Sequence, residues 1–342
     1  MTRKLTFENL ESRKFLSVNT THDVNTGLLS IIGTDASDNV AIGQKGVAIL
    51  VTINGKPSSK FESSSVARIY FSGGNGDDSF VNNTSIESEA YGNSGNDSLI
   101  GGSGKDSLRG GPNNDRLQGN GGNDDLHGDY GDDELRGGDG NDELLGWFGN
   151  DKLYGDKGDD YVSGYLGNDE LYGGADNDVI KGHEGDDLLF GDAGNDELYG
   201  WLGNDYLNGG HGDDYLSGWA GHDRLVGGHG NDKLFGHAGQ DLLIGGQGAD
   251  YLDGGSDRDI VVGSQTKFDD DPNALDEILA AWIRGESLVQ TPKLSAGKKV
   301  KERPSLNRST VAEDGQADEL VDDGSNLDWL LLGHKDVTVK SV

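Results

Sequence analysis

Cysteine is absent from all 342 residues. That excludes disulfides, thiolate metal sites and cysteine nucleophiles. It does not assign a reducing compartment, because an exported protein can use bound metal where others use disulfides. Positive charge is scarce, with 28 Lys plus Arg against 61 Asp plus Glu and a net charge of −33. A surface of that sign repels phosphate, so nucleic acid is excluded as a partner. Long apolar runs are missing as well. None reaches the ~18–20 residues of a membrane span, and the first 20 residues hold no continuous apolar stretch, so no ordinary signal peptide is expected. Hydrophobic residues make up 32 % of the chain. With this charge, such a composition specifies disorder unless a cation or a repeat architecture intervenes.

Catalytic signatures are missing too. There is no G-x-S-x-G elbow, P-loop or dinucleotide fingerprint. The stretch His183-Glu184-Gly185-Asp186-Asp187 lacks the second histidine of a zinc-protease helix. Carboxylate pairs can be drawn anywhere in so acidic a chain, so none carries meaning for glycoside cleavage.

What the chain has in abundance is glycine, 58 residues of it, in a strict order. From Gly92 the sequence reads GNSGNDSLI, GGSGKDSLR, GGPNNDRLQ, GNGGNDDLH, GDYGDDELR, and the register holds without insertion to Val262, giving 19 units of nine. The first position is always Gly and the sixth always Asp. The eighth is always Leu, Ile or Val. The opening glycines are expected to permit φ > 0 and a sharp turn. The segment around the eighth position is expected to form a three-residue strand whose central side chain points inward. Two units make one coil of 18 residues, and about nine coils stacked at roughly 4.8 Å give a rod of roughly 45 Å.

Two aliphatic side chains per coil are too little to offset the ordering entropy of 18 residues at ~1–2 kcal/mol each. Stacking also aligns one Asp per coil on each edge at close spacing. Hard cations remove that repulsion, and oxygen-only ligation by Asp and backbone carbonyls favours Ca²⁺ over Zn²⁺ or Cu²⁺. The repeats hold 36 acidic and 10 basic side chains, a net of −26. If each ion bridges units n and n+2, about 17 sites supply roughly +34, a charge of matching size.

The repeat resembles the G-G-x-G-x-D-x-U-x nonapeptide of RTX, or haemolysin-type, calcium-binding proteins. GGDGNDELL (Gly137 to Leu145) and GGHGNDKLF (Gly227 to Phe235) match it at every fixed position. The resemblance implies an all-β fold, a right-handed parallel β-roll. In it each Ca²⁺ lies between turns of adjacent coils, held by the sixth-position Asp and turn carbonyls. Carried onto this chain, the metal ligands are Asp78, Asp97, Asp106, Asp115, Asp124, Asp133, Asp142, Asp151, Asp160, Asp169, Asp178, Asp187, Asp196, Asp205, Asp214, Asp223, Asp232, Asp241, Asp250 and Asp259. The departures are Asn113, Asp176 and Asp257 at the fourth position, and Lys105, His222, Gln240, Ala249 and Arg258 at the fifth.

The flanks read differently. Residues 1–26 hold LTFENLESRKFLS (Leu5 to Ser17), which resembles the LEPR-XLL export motif of planctomycete surface proteins. Residues 27–91 are expected to form a degenerate β-rich cap. There GGNGDDSFV (Gly73 to Val81) is a full unit and GTDASDNVA (Gly33 to Ala41) a weaker one. Residues 92–262 are the roll itself. Within 263–342, Asp271-Pro272 starts a short helix expected over 272–285, with Leu275, Ile278, Leu279, Trp282 and Ile283 on one face. A flexible linker follows, and Ala317 to Leu332 resembles two eroded units.

One feature exceeds what the repeat needs. The second position carries Trp147, Tyr165, His183, Trp201, Trp219 and His237 at intervals of 18. They form either a self-stacking ladder or, through Trp147, Tyr165, Trp201 and Trp219, a candidate binding strip for an extracellular glycan or a surface protein. Two classes of function follow. One is a secreted or cell-surface, Ca²⁺-dependent structural or adhesive protein without catalytic activity. The alternative is an exported enzyme, or an enzyme's appendage, with its site in the flanks.

Overall fold

The computed structural model describes residues 17–264 continuously and, beyond them, residues 272–273, 279–280, 318–322, 329–331 and 337–341. The Leu5 to Ser17 motif, apart from Ser17, lies outside the described residues.

From Lys56–Glu62 onward successive strands alternate between two sheets, each fifteen-stranded among the described residues, so that the chain winds as a parallel β-solenoid. One sheet runs from Asn19–Asp23 through Leu28–Ile32, Arg68–Asn75, Ser88–Ser94 and Asp106–Pro112 to Tyr251–Ser256, then Asp318–Asp322 and Val337–Ser341. The other runs from Lys56–Glu62 through Ala48–Ile53, Asn39–Lys45 and Ser79–Asn83 to Ile260–Ser264 and Trp329–Leu331. Within the repeats the pairing is parallel and offset by one coil, with Leu126 opposite Leu144 and Leu135 opposite Leu153. Every eighth-position side chain from Leu99 to Leu252 is at most 1 % exposed, forming a single aliphatic file from each sheet.

The strands are longer than the three residues expected. Asp125–Tyr130 and its successors through Tyr251–Ser256 run six residues, from the seventh position of one unit to the third of the next. The strand bends in its middle, because the second position is left-handed: Asp129 has φ 79°, Trp147 79° and Trp201 80°. Pairing skips only the first glycine and resumes at the bend, Trp147 lying opposite Tyr165.

The first glycine has a different purpose from the one its identity suggests. It is not left-handed. A Cβ on Gly128 would collide with the Asp133 carboxylate and lie 2.9 Å from the Gly146 carbonyl oxygen of the next coil. The fourth position, like the second, is left-handed, as at Gly131 (φ 134°), and there a Cβ would strike the backbone one coil earlier. Where that glycine is replaced, Asn113, Asp176 and Asp257 keep φ near 80° (84°, 81° and 80°), a conformation Asn and Asp adopt more readily than other side chains.

Antiparallel strands close the N-terminal end. Asn19–Asp23 pairs with Leu28–Ile32, and Ala48–Ile53 lies between Asn39–Lys45 and Lys56–Glu62. At the other end Leu320 pairs in parallel with Leu252, and Leu330 with Val261. Of the helix expected over 272–285, Pro272, Asn273, Leu279 and Ala280 are helical. The rest of that stretch lies outside the described residues. Leu279 is buried against Tyr206, Val226, Leu242, Ile244, Ile260 and Val262, residues on the outer surface of one sheet.

Candidate metal centres on the roll edges

The sixth-position Asp closes each turn where the chain passes from one sheet to the other. Its side chain points back under the first glycine of its own unit, which is why that position tolerates no Cβ. Burial is nearly complete along both edges, Asp124 at 2 % exposed and Asp223 at 0 %.

The two carboxylate oxygens differ. Oδ1 accepts the backbone N–H of the Asp one coil earlier: Asp115 N–H donates to Asp133 Oδ1 at 2.7 Å, and Asp160 N–H to Asp178 Oδ1 at 2.8 Å. Oδ2 has no donor in Asp78, in Asp97, or in any repeat Asp from Asp115 to Asp241. A buried ionised oxygen without a partner is costly, and in native proteins it calls for an ion or a proton.

The proton affinities carry the same information. Burial pushes the Asp178 carboxyl up to about 8. The N–H from Asp160 opposes this, and repulsion from Asp160 and Asp196 adds to it. Burial raises Asp169 to about 6 and Asp241 to about 9. Burial raises Asp115 and Asp151 as well, each to about 8, with repulsion from neighbouring carboxylates added.

Among the described residues no three His, Cys, Asp or Glu side chains converge on one point. A cation on these edges must therefore complete its shell with main-chain oxygens. Such oxygens are at hand, since the Gly146 carbonyl and the Asp133 Oδ2 face the same bare Cα of Gly128. This all-oxygen donor set suits a hard divalent ion of flexible coordination, which is the chemistry of Ca²⁺.

Asp106 stands apart from its neighbours. Its Oδ1 accepts from Ser88 N–H and Oγ, and its Oδ2 accepts the Gly102 N–H at 2.6 Å. Asp250 and Asp259 occupy the equivalent buried positions at the C-terminal end of the array.

Sequence reasoning missed a second ladder, at the fifth position. Its side chains accept the N–H of the next coil, the reverse of the Asp direction. Asn150 N–H donates to Asp132 Oδ1, Asn168 N–H to Asn150 Oδ1, and Asp186 N–H to Asn168 Oδ1, each at 2.9 Å. The excess of Asn and Asp at that position was the available signal. At three of the departures the chain adapts, His222 Nδ1 accepting from Gln240 N–H and the Ala249 N–H donating to Asn231 Oδ1.

The second-position aromatics meet on one edge. Trp147 and Tyr165 stack at 4.5 Å between centroids, Tyr165 and His183 at 4.7 Å, and Trp201 and Trp219 at 4.9 Å, all within 4° of parallel. Ring faces are therefore turned toward one another along the roll axis. Trp201 and Trp219 are 37 % and 42 % exposed.

Stacked coils with carboxylate-lined turns on both edges define a parallel β-roll that presents hard-cation ligands once per coil on each edge. The RTX calcium-binding nonapeptide repeat, in blocks of four copies, matches residues 91–126, 127–162, 163–198, 190–225, 199–234 and 226–261. These matches span half of the chain, which belongs to the RTX calcium-binding nonapeptide-repeat family. Repeats of this family bind Ca²⁺, and that supports calcium binding here. No curated protein sequence matches the chain.

Proposed function

We propose that this protein is a secreted or cell-surface structural or adhesive element that calcium folds and stiffens. The observation that carries the proposal is the pair of rows of buried Asp Oδ2 atoms without donors, repeated coil after coil. In this reading the carboxylates of Asp78, Asp97 and the repeat Asp residues from Asp115 onward hold Ca²⁺ between adjacent coils, together with turn carbonyls. Extracellular modules bind Ca²⁺ at about 10⁻⁴–10⁻³ M, well above cytosolic levels, so folding would follow export. The ring stacking supports a stiffening role for Trp147, Tyr165, Trp201 and Trp219 over sugar binding, because stacking on a pyranose needs a free ring face.

Calcium stoichiometry of wild type and Asp178→Asn, measured by equilibrium dialysis, tests this. Asn keeps an acceptor for the Asp160 N–H but lacks the charge. Many ions bound per wild-type chain and fewer on the variant are expected. Equal stoichiometry would place the ions elsewhere, and no binding at millimolar Ca²⁺ would end the proposal.

A further inference from the structure

The N-terminal coils are built on the same two sheets, yet their turns are closed by other means. At the turn where Asp38 stands in the sixth position, its Oδ2 accepts both Thr34 N–H (2.8 Å) and Thr34 Oγ1 (2.9 Å). On the opposite edge Ser88 replaces the Asp, giving its N–H and hydroxyl to Asp106. The loop before it is tied by Asn82, whose Oδ1 accepts from Thr84 N–H and Oγ1 while its Nδ2 donates to the Ile86 carbonyl (2.8 Å). Side-chain hydrogen bonds thus satisfy the positions that in later coils present a bare carboxylate oxygen. The first such oxygen is at Asp78 on one edge and at Asp124 on the other.

The packing changes at the same place. Leu29, Ile31, Val40, Ile42, Ile49, Val51, Ile69, Phe71 and Phe80 are all at most 1 % exposed, and Phe71 stacks on Phe80 at 4.9 Å. Later coils contribute one aliphatic side chain per strand to the interior between the sheets. The N-terminal strands also include three antiparallel pairs joined by short turns, one of them Asn54-Gly55 with φ 51° and 71°. Short closures cost little entropy and form quickly.

We infer that residues 28–88 fold without calcium and serve as the template on which calcium-dependent coils are laid down toward the C-terminus. This rests on the calcium reading proposed above. A preformed end offers two strand edges and a first carboxylate at Asp78, so the next coil pairs on arrival and nearest-neighbour coupling carries order forward. The calcium-free chain is then a folded N-terminal block followed by a disordered acidic tail, which export in low calcium would deliver ready to zip.

Hydrogen exchange read by mass spectrometry on the full chain tests this. In EDTA, peptides within 28–83 should exchange at least tenfold more slowly than peptides within 124–250, and added Ca²⁺ should protect the latter. Fast exchange of 28–83 in EDTA, with protection only after calcium, would overturn the template. Slow exchange of the whole chain in EDTA would instead refute calcium-driven folding itself. Phe71→Ala should abolish the EDTA-resistant protection. Asp106→Asn should leave the number of bound ions unchanged while Asp124→Asn lowers it, and loss of ions from Asp106→Asn would count against a metal-free first edge.

Discussion

The first glycine of each unit is held by a carboxylate. In Gly173 an added Cβ would meet Asp178 Oδ2 and Cγ, displacing the oxygen proposed to face calcium. Gly121, in a third position, has its nearest neighbour at 3.7 Å, so a methyl there lies in ordinary contact. Gly173→Ala should therefore raise the calcium midpoint of folding several-fold. Gly121→Ala should shift it little, since surface changes away from such features usually stay within about 0.5 kcal/mol. A calcium titration of both variants by circular dichroism distinguishes them, and equal shifts would mean that the glycine is kept for flexibility alone. At this scale the invariant Gly and Asp were plain in the sequence, but the reason for the glycine was not. Which atom a missing Cβ makes room for depends on how coils stack, and no single unit contains that information. The fifth-position ladder was hidden for the same reason, because donor and acceptor come from different coils.

Along a strand and its stack, the aromatic row balances two effects. Each interior ring gains two parallel contacts, worth about 0.5–1.5 kcal/mol apiece. Each also sits at φ near 80°, where an L-residue pays about 1–2 kcal/mol that glycine does not. Replacing Trp201 and Trp219 by Ala removes the stacking and keeps the strain. Replacing both by Gly removes both. The double Ala variant should therefore need more calcium to fold than wild type, and the double Gly variant should fall between them. A double Ala variant that folds at the wild-type midpoint would show that the ladder contributes nothing. The six-residue strand illustrates what sequence patterns hide. Periodicity located the inward Leu, yet it stopped the strand at the ninth position, because a left-handed Trp or His at position two is indistinguishable in sequence from a turn residue. Upstream, Asp38 and Asp78 lie 40 residues apart but in adjacent coils, the interval being taken up by the antiparallel strands from Ala48 to Glu62. A search at a period of nine does not see that relation.

For the whole molecule, the buried carboxylates set the response to pH. Their affinity for protons is raised on folding without metal, to about 6 at Asp169 and about 8 at Asp178. The fold then favours the protonated form. That contribution is complete below the unfolded pKa near ~3.9 and disappears as pH rises through the folded values. The metal-free roll should accordingly be more ordered at pH 4 than at pH 8. Calcium reverses the dependence, because its ligands must be ionised, so its affinity should fall as pH drops through about 8 to 6, with protons released on binding. Spectra in EDTA at the two pH values, beside calcium titrations at pH 5.5 and 7.5, test both signs. The same result in either buffer would mean that these groups are not coupled to folding.

Calcium-driven assembly of the coils is tested most directly by far-ultraviolet circular dichroism of the intact chain as Ca²⁺ is raised from EDTA to several millimolar. The expected result is a minor strand signal in EDTA, from the N-terminal coils, that rises cooperatively to a strand-rich spectrum and returns on chelation. A full strand-rich spectrum in EDTA at neutral pH, unchanged by calcium, would contradict it.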